Sequence, residues 1–124
     1  MLNTVLINKM LKNTEKEPHI TLKLLRGIVV PQLTKQYADI FRNTTQPETP
    51  EEKLAMKQVE KEIEQGVEMD FDAIVEVVYD KESQKFDVEK MKQLYKEERK
   101  KEAEFAKQQQ RDLLNGLQKE FENE

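Results

Sequence analysis

Residues 19–33 read HITLKLLRGIVVPQL, and the fold turns on whether they form two strands or one helix. Ile20, Leu22 and Leu24 alternate with Thr21 and Lys23, the two-residue period of a half-buried strand. Arg26-Gly27 follows as a tight turn, where glycine accepts positive φ without a Cβ clash. Ile28, Val29 and Val30 are β-branched and stiff at χ1, which suits a returning strand. Pro31 has no N–H for a ladder and ends that strand. A helix over the same residues carries Gly27 in its interior at about 1 kcal/mol relative to alanine, and it breaks at Pro31. The local arithmetic predicts a small N-terminal β-hairpin. A lone hairpin is marginal in water, so it must lie on helices or pair through its edge with another chain. That makes Ile20, Leu22 and Leu24 candidate partner-binding residues.

Toward the N-terminus, residues 2–12 (LNTVLINKMLK) place Leu2, Val5, Leu6 and Met10 on one helical face, with a short strand as the alternative. The polar run 13–18 (NTEKEP) ends in Pro18 and reads as a connector, so residues 1–18 form a leader segment. Beyond Pro31 the period changes to that of a helix, with Leu33, Tyr37, Ile40 and Phe41 on one stripe ending near Asn43. Residues 44–50 (TTQPETP) are a polar linker. Thr49 is then an N-cap, Pro50 sits in the first turn, and Glu52 can close a capping box. That helix carries a narrow seam of Met56, Val59 and Ile63, runs to about Gln65 and takes Gly66 as its C-terminal cap.

Residues 70–80 (DFDAIVEVVYD) put Phe71, Ile74, Val75, Val78 and Tyr79 on one helical face behind Asp70 as N-cap. The β-branched run also permits a strand and a second hairpin through Lys81–Gln84; the single apolar face favours helix. Asp87 caps a long helix reaching Phe121. It opens with Val88, Met91, Leu94 and Tyr95, becomes a charged rod over 96–104 (KEERKKEAE), and recovers apolar residues at Phe105, Ala106, Leu113, Leu114, Leu117 and Phe121. Pairs such as Glu97–Lys101 support the rod by a few tenths of a kcal/mol each, on the order of 0.3. The expected fold is mainly α, with a small N-terminal β-hairpin plus helices and a long charged C-terminal helix. Its parts are a leader at 1–18, a small helical domain with the hairpin at 19–95, and the extended helix at 96–124.

Composition narrows the function classes. Of 124 residues, 36% are hydrophobic and 37% charged, so the core is thin and the surface large. There is no cysteine, one histidine and three glycines, which leaves no thiol nucleophile, no Cys-ligated metal, no imidazole cluster and no phosphate-cradling glycine loop. No apolar run approaches the roughly 20 residues that span a bilayer. Asn3, Asn8 and Lys9 interrupt any signal-peptide core, so the expected location is the cytoplasm. The net charge of −4 is uneven, with ten acidic and three basic side chains within residues 49–80. An acidic centre argues against a broad nucleic-acid footprint. It is either a solvated helix face or a steering surface for a basic partner.

Individual candidates are weak as chemistry. His19 has no second imidazole. Glu68, Asp70 and Asp72 lack the glycine and distal glutamate of a calcium loop. Glu60 and Glu64 lie one turn apart on a charged helix, without the burial that splits paired carboxylates. Arg99, Lys100 and Lys101 are flanked by glutamates. No catalytic residue, metal site or cofactor is expected, and the chain reads as non-enzymatic. The feature with most content is the stripe of Leu113, Leu114, Leu117 and Phe121, which docks on its own core, anchors another protein or a second copy, or frays as a disordered end. A nucleic-acid regulator using Lys9, Lys12, Lys23, Arg26, Lys35 and Arg42 is the rival of another class, and an accessory subunit of a larger complex the rival within binding proteins.

A family resemblance adds to this reading. The order of ITLKL (20–24), a β-branched run, a proline, the amphipathic QLTKQYADIFRN (32–43), a polar spacer, DFDAIVEVVYD (70–80) and KFDVEKM (85–91) resembles the small tail assembly chaperones of long-tailed phages (siphophages) of Gram-positive hosts. The matching positions are Ile74, Val75, Val77, Val78 and Tyr79, then Phe86, Asp87 and Val88, within a match over residues 19–95. The first 18 residues, the long KESQ spacer and the charged C-terminal helix depart from that pattern. The resemblance implies an N-terminal hairpin and helix, and an assembly role in the host cytoplasm: coating a tape-measure protein and recruiting tail-tube subunits.

Overall fold

The computed structural model describes residues 1–122, with side chains through Gln118. Its elements are α1 (Thr4–Lys16), α2 (Leu22–Thr45), α3 (Pro50–Val78), β1 (Tyr79–Asp80), β2 (Lys85–Phe86) and α4 (Val88–Glu122). Each helix starts at a polar cap. Asn3 Oδ1 accepts from Leu6 N at 3.1 Å, Thr21 Oγ1 from Leu24 N at 3.2 Å, Thr49 Oγ1 from Glu52 N at 3.1 Å, and Asp87 Oδ1 from Lys90 N at 3.0 Å. These bonds satisfy amides that have no partner inside the first turn. The Glu52 carboxylate reaches back to Glu48 N, one residue before the expected capping-box donor.

The expected N-terminal hairpin is absent: residues 22–45 are one continuous helix through Gly27 and Pro31. The strands pair instead at 79–86, antiparallel, with Tyr79 opposite Phe86 and Asp80 opposite Lys85. The reason is energetic. Leu25, Val29 and Leu33 follow one another at four-residue spacing and are all fully buried. Each such burial contributes about 1.5–3 kcal/mol, against a total of about 4 kcal/mol for one interior proline and one interior glycine. Thr21, read as a strand residue, is the helix cap.

A second correction concerns α3. Gly66 does not end a helix and Asp70 does not begin one, because Pro50–Val78 is a single helix. The stripe of Ile63, Val67, Phe71, Ile74 and Val78 runs straight through Gly66 into the core cluster. An interior glycine costs about 1 kcal/mol, less than burying Phe71 alone contributes.

The residues read as a leader carry α1, whose Leu6, Ile7 and Met10 are fully buried. Val5, expected on that face, is exposed, and Ile7 takes its place. They join Ile20, Leu25, Val29, Val30 and Leu33 of the second segment, Val67 to Val78 of α3, and Phe86, Met91 and Leu94 in one cluster. The short hairpin links α3 to α4. The Tyr79 and Phe86 rings pack at a tilt with centroids 4.9 Å apart, and Gln84 takes positive φ to close the turn.

Direction follows from the contacts of α1. Leu2 N and Thr4 Oγ1 donate to Glu98 and Glu102 at 3.1 and 2.7 Å, whereas Thr14 and Glu15 meet Met91 and Lys92, both at 3.8 Å. α1 and α4 are therefore antiparallel. Asn3 Nδ2 donates to Tyr37 OH at 3.1 Å and to Asp70 Oδ2 at 3.2 Å, so α2 and α3 pass the same end of α1. Two projections leave the body from that end: the α2–α3 pair beyond Tyr37 and Asp70, and α4 beyond Glu102.

Candidate interaction surface

The root of α4 is embedded. Met91 and Leu94 lie in the core, and Glu98 is 4% exposed. The Glu98 carboxylate accepts from Leu2 N and from Lys101 Nζ at 3.3 Å. A buried carboxylate needs such donors to offset its lost hydration. Half-buried Glu102 takes the Thr4 hydroxyl and pairs with Arg99 at 3.2 Å. From Ala103 to Gln118 every described residue is exposed. At 1.5 Å per residue, the helix from Ala103 to its end is an arm of about 30 Å.

The predicted stripe sits on that arm. Leu113, Leu114 and Leu117 are 67%, 60% and 44% exposed, and Phe105 is exposed nearer the root. The side chain of Phe121 lies outside the described residues. Of the other predicted contact residues, Ile20 is buried in the core, Leu22 packs against it, and Leu24 is 58% exposed. They form no sheet edge, because the strand that would have aligned them is the start of α2.

Sequence reasoning missed the apolar exposure on the second projection. Ile40 and Phe41, read on one helical stripe with Leu33, are exposed on α2, and Leu54 is exposed on α3. Ala38 and Met56 are buried where the two helices meet. The signal available was Leu54, which falls off the Met56–Val59–Ile63 seam.

The charged candidates resolve into structure. Arg26 lies over the Phe71 ring, 4.9 Å from its centroid, and pairs with Asp72 at 2.6 Å. Arg42 pairs with Glu60 and, at 3.2 Å, with Asp39. Asp70 accepts from Asn3, and His19 is exposed in the α1–α2 connection. Among the described residues, no three His, Asp or Glu side chains gather as a metal-binding group. No helix among them is long and apolar enough to cross a membrane. The groove between α2 and α3, lined by Thr34, Ala38, Lys57, Lys61 and Glu64, opens to solvent between charged walls. The Asp80 carboxyl is held below its usual range by hydrogen bonds, first from the Ser83 hydroxyl and then from Glu82 N.

Compared with protein-family models, curated proteins and solved structures, the chain matches none.

Proposed function

We propose that this chain is a non-catalytic protein–protein interaction and assembly factor whose contact element is the arm of α4. One observation carries the reading: an embedded root continues without a break into an arm whose leucines face solvent. Soluble monomers rarely leave contiguous apolar surface uncovered without a binding role, and a helix with i, i+3 and i+4 anchors is a recurring recognition element. Ile40, Phe41 and Leu54 add exposed apolar side chains on the α2–α3 projection, which leaves the body from the same end of α1. Two such projections suit holding a partner rather than transforming it.

In its finer form this is a tail assembly chaperone acting in the host cytoplasm. That form draws on the resemblance, whose remaining support is the spacing of Ile74 to Tyr79 and Phe86 to Val88 now that residues 20–30 are helical. An accessory subunit of a larger complex is the alternative within binding proteins. A nucleic-acid role has less support, since Arg26 and Arg42 are engaged by carboxylates. Light scattering and thermal melting of the full chain and of a truncation after Gln110 test the proposal. Reduced assembly with an unchanged melt supports it. A melt lowered by many degrees at unchanged mass returns the stripe to its own core and defeats it.

A further inference from the structure

We infer that the occupant of the α4 arm is a second copy of the same arm, laid antiparallel. This rests on the reading of α4 as the contact element and adds its partner and geometry. The arm is polarised twice along its length.

The first polarity is size. On a 100° wheel, Ala103, Ala106, Gln110, Leu113, Leu114 and Leu117 share one face, and all six are exposed. The half nearer the root offers alanines and the outer half leucines. Two parallel arms would set alanine on alanine and leucine on leucine, leaving a gap at one end and crowding at the other. Antiparallel arms set Leu117 of each copy over Ala106 of the other and Leu113 beside Gln110, which keeps the interhelical spacing even.

The second polarity is charge. Within the arm, residues 103–111 carry two basic and one acidic side chains, and residues 112–122 carry one basic and three acidic. Parallel arms align like with like. Antiparallel arms lay the acidic outer half of each copy along the basic inner half of the other. Complementary charge fixes register and orientation more than it adds affinity. A second copy satisfies both polarities at once.

The chain has no cysteine, so single-cysteine variants test the pairing directly. Ala106→Cys and Leu117→Cys are mixed under mild oxidation, one of them tagged, with the melt of each as a folding control. The expected result is a mixed 106–117 disulfide forming about tenfold or more faster than either homodisulfide, because alignment raises the effective thiol concentration. Homodisulfides at both positions mean parallel arms and overturn the inference. So does a strictly monomeric mass with no disulfide beyond collision between unaligned chains. Failure here is distinguishable from failure of the contact reading, which falls only if truncation after Gln110 unfolds the body.

Discussion

The hydroxyl of Thr4 donates to the carboxylate of Glu102 across 2.7 Å, joining the first turn of α1 to the last point at which α4 touches the body. One turn earlier Glu98 takes the amide of Leu2. Inside this pair of contacts α4 is core; outside it α4 is arm.

Glu98→Ala leaves the part-buried Leu2 N without its charged acceptor and is expected to lower stability by about 1–3 kcal/mol. Glu102→Ala should cost less, because its side chain is 35% exposed and water replaces what is lost. Urea unfolding of both variants checks the order.

Gly27→Ala and Gly66→Ala are expected to stabilise the fold by about 0.5–1 kcal/mol each. Both glycines lie inside helices, and an added Cβ at either meets nothing within 4 Å. The two positions should add. A turn at Gly27 or a left-handed cap at Gly66 would reverse the sign, so chemical denaturation reads the helix against the hairpin directly.

Phe71→Ala removes a fully buried ring that also supports Arg26, and should cost about 3–5 kcal/mol. Leu113→Ala and Leu117→Ala should each change stability by less than about 0.5 kcal/mol while weakening association. Thermal melting beside sedimentation separates the two kinds of residue.

The Asp80 carboxylate is exposed, and its pKa is depressed by the Ser83 hydroxyl and then the Glu82 amide. A depressed folded-state pKa means the contribution is fully present above the unfolded value, about 3.9, and is lost as pH falls through the folded value. Protection of the Glu82 and Phe86 amides, relative to their intrinsic exchange rates at each pH, should therefore fall at acidic pH as the turn loosens. Asp80→Asn should remove that pH dependence and leave the global melt unchanged.

The elements that could be read from sequence are those whose signals are local. Thr49 and Asp87 start helices because their side-chain oxygens accept from amides three residues on, and no distant contact is needed to see it. The surface stripe at Leu113, Leu114 and Leu117 was legible for the same reason, since helical spacing alone places these residues on one face. The second apolar surface was not. Whether Ile40 and Phe41 are core or surface depends on where α2 outruns its neighbours, and no window of residues contains that information.

By itself the sequence determined a helical, charge-rich chain with capped helix starts and a long C-terminal helix, because propensity, capping and i,i+4 pairing act within a few residues. Tertiary structure decided residues 19–33. Taken alone, Gly27 and Pro31 outweigh the helix; once α1 and α3 bury Leu25, Val29 and Leu33, the apolar area removed from water exceeds those local costs. It likewise fused two expected helices across Gly66. It also set the point, at Glu102, where packing ends and the arm begins, since burial belongs to the whole assembly of elements and to no single stretch of chain.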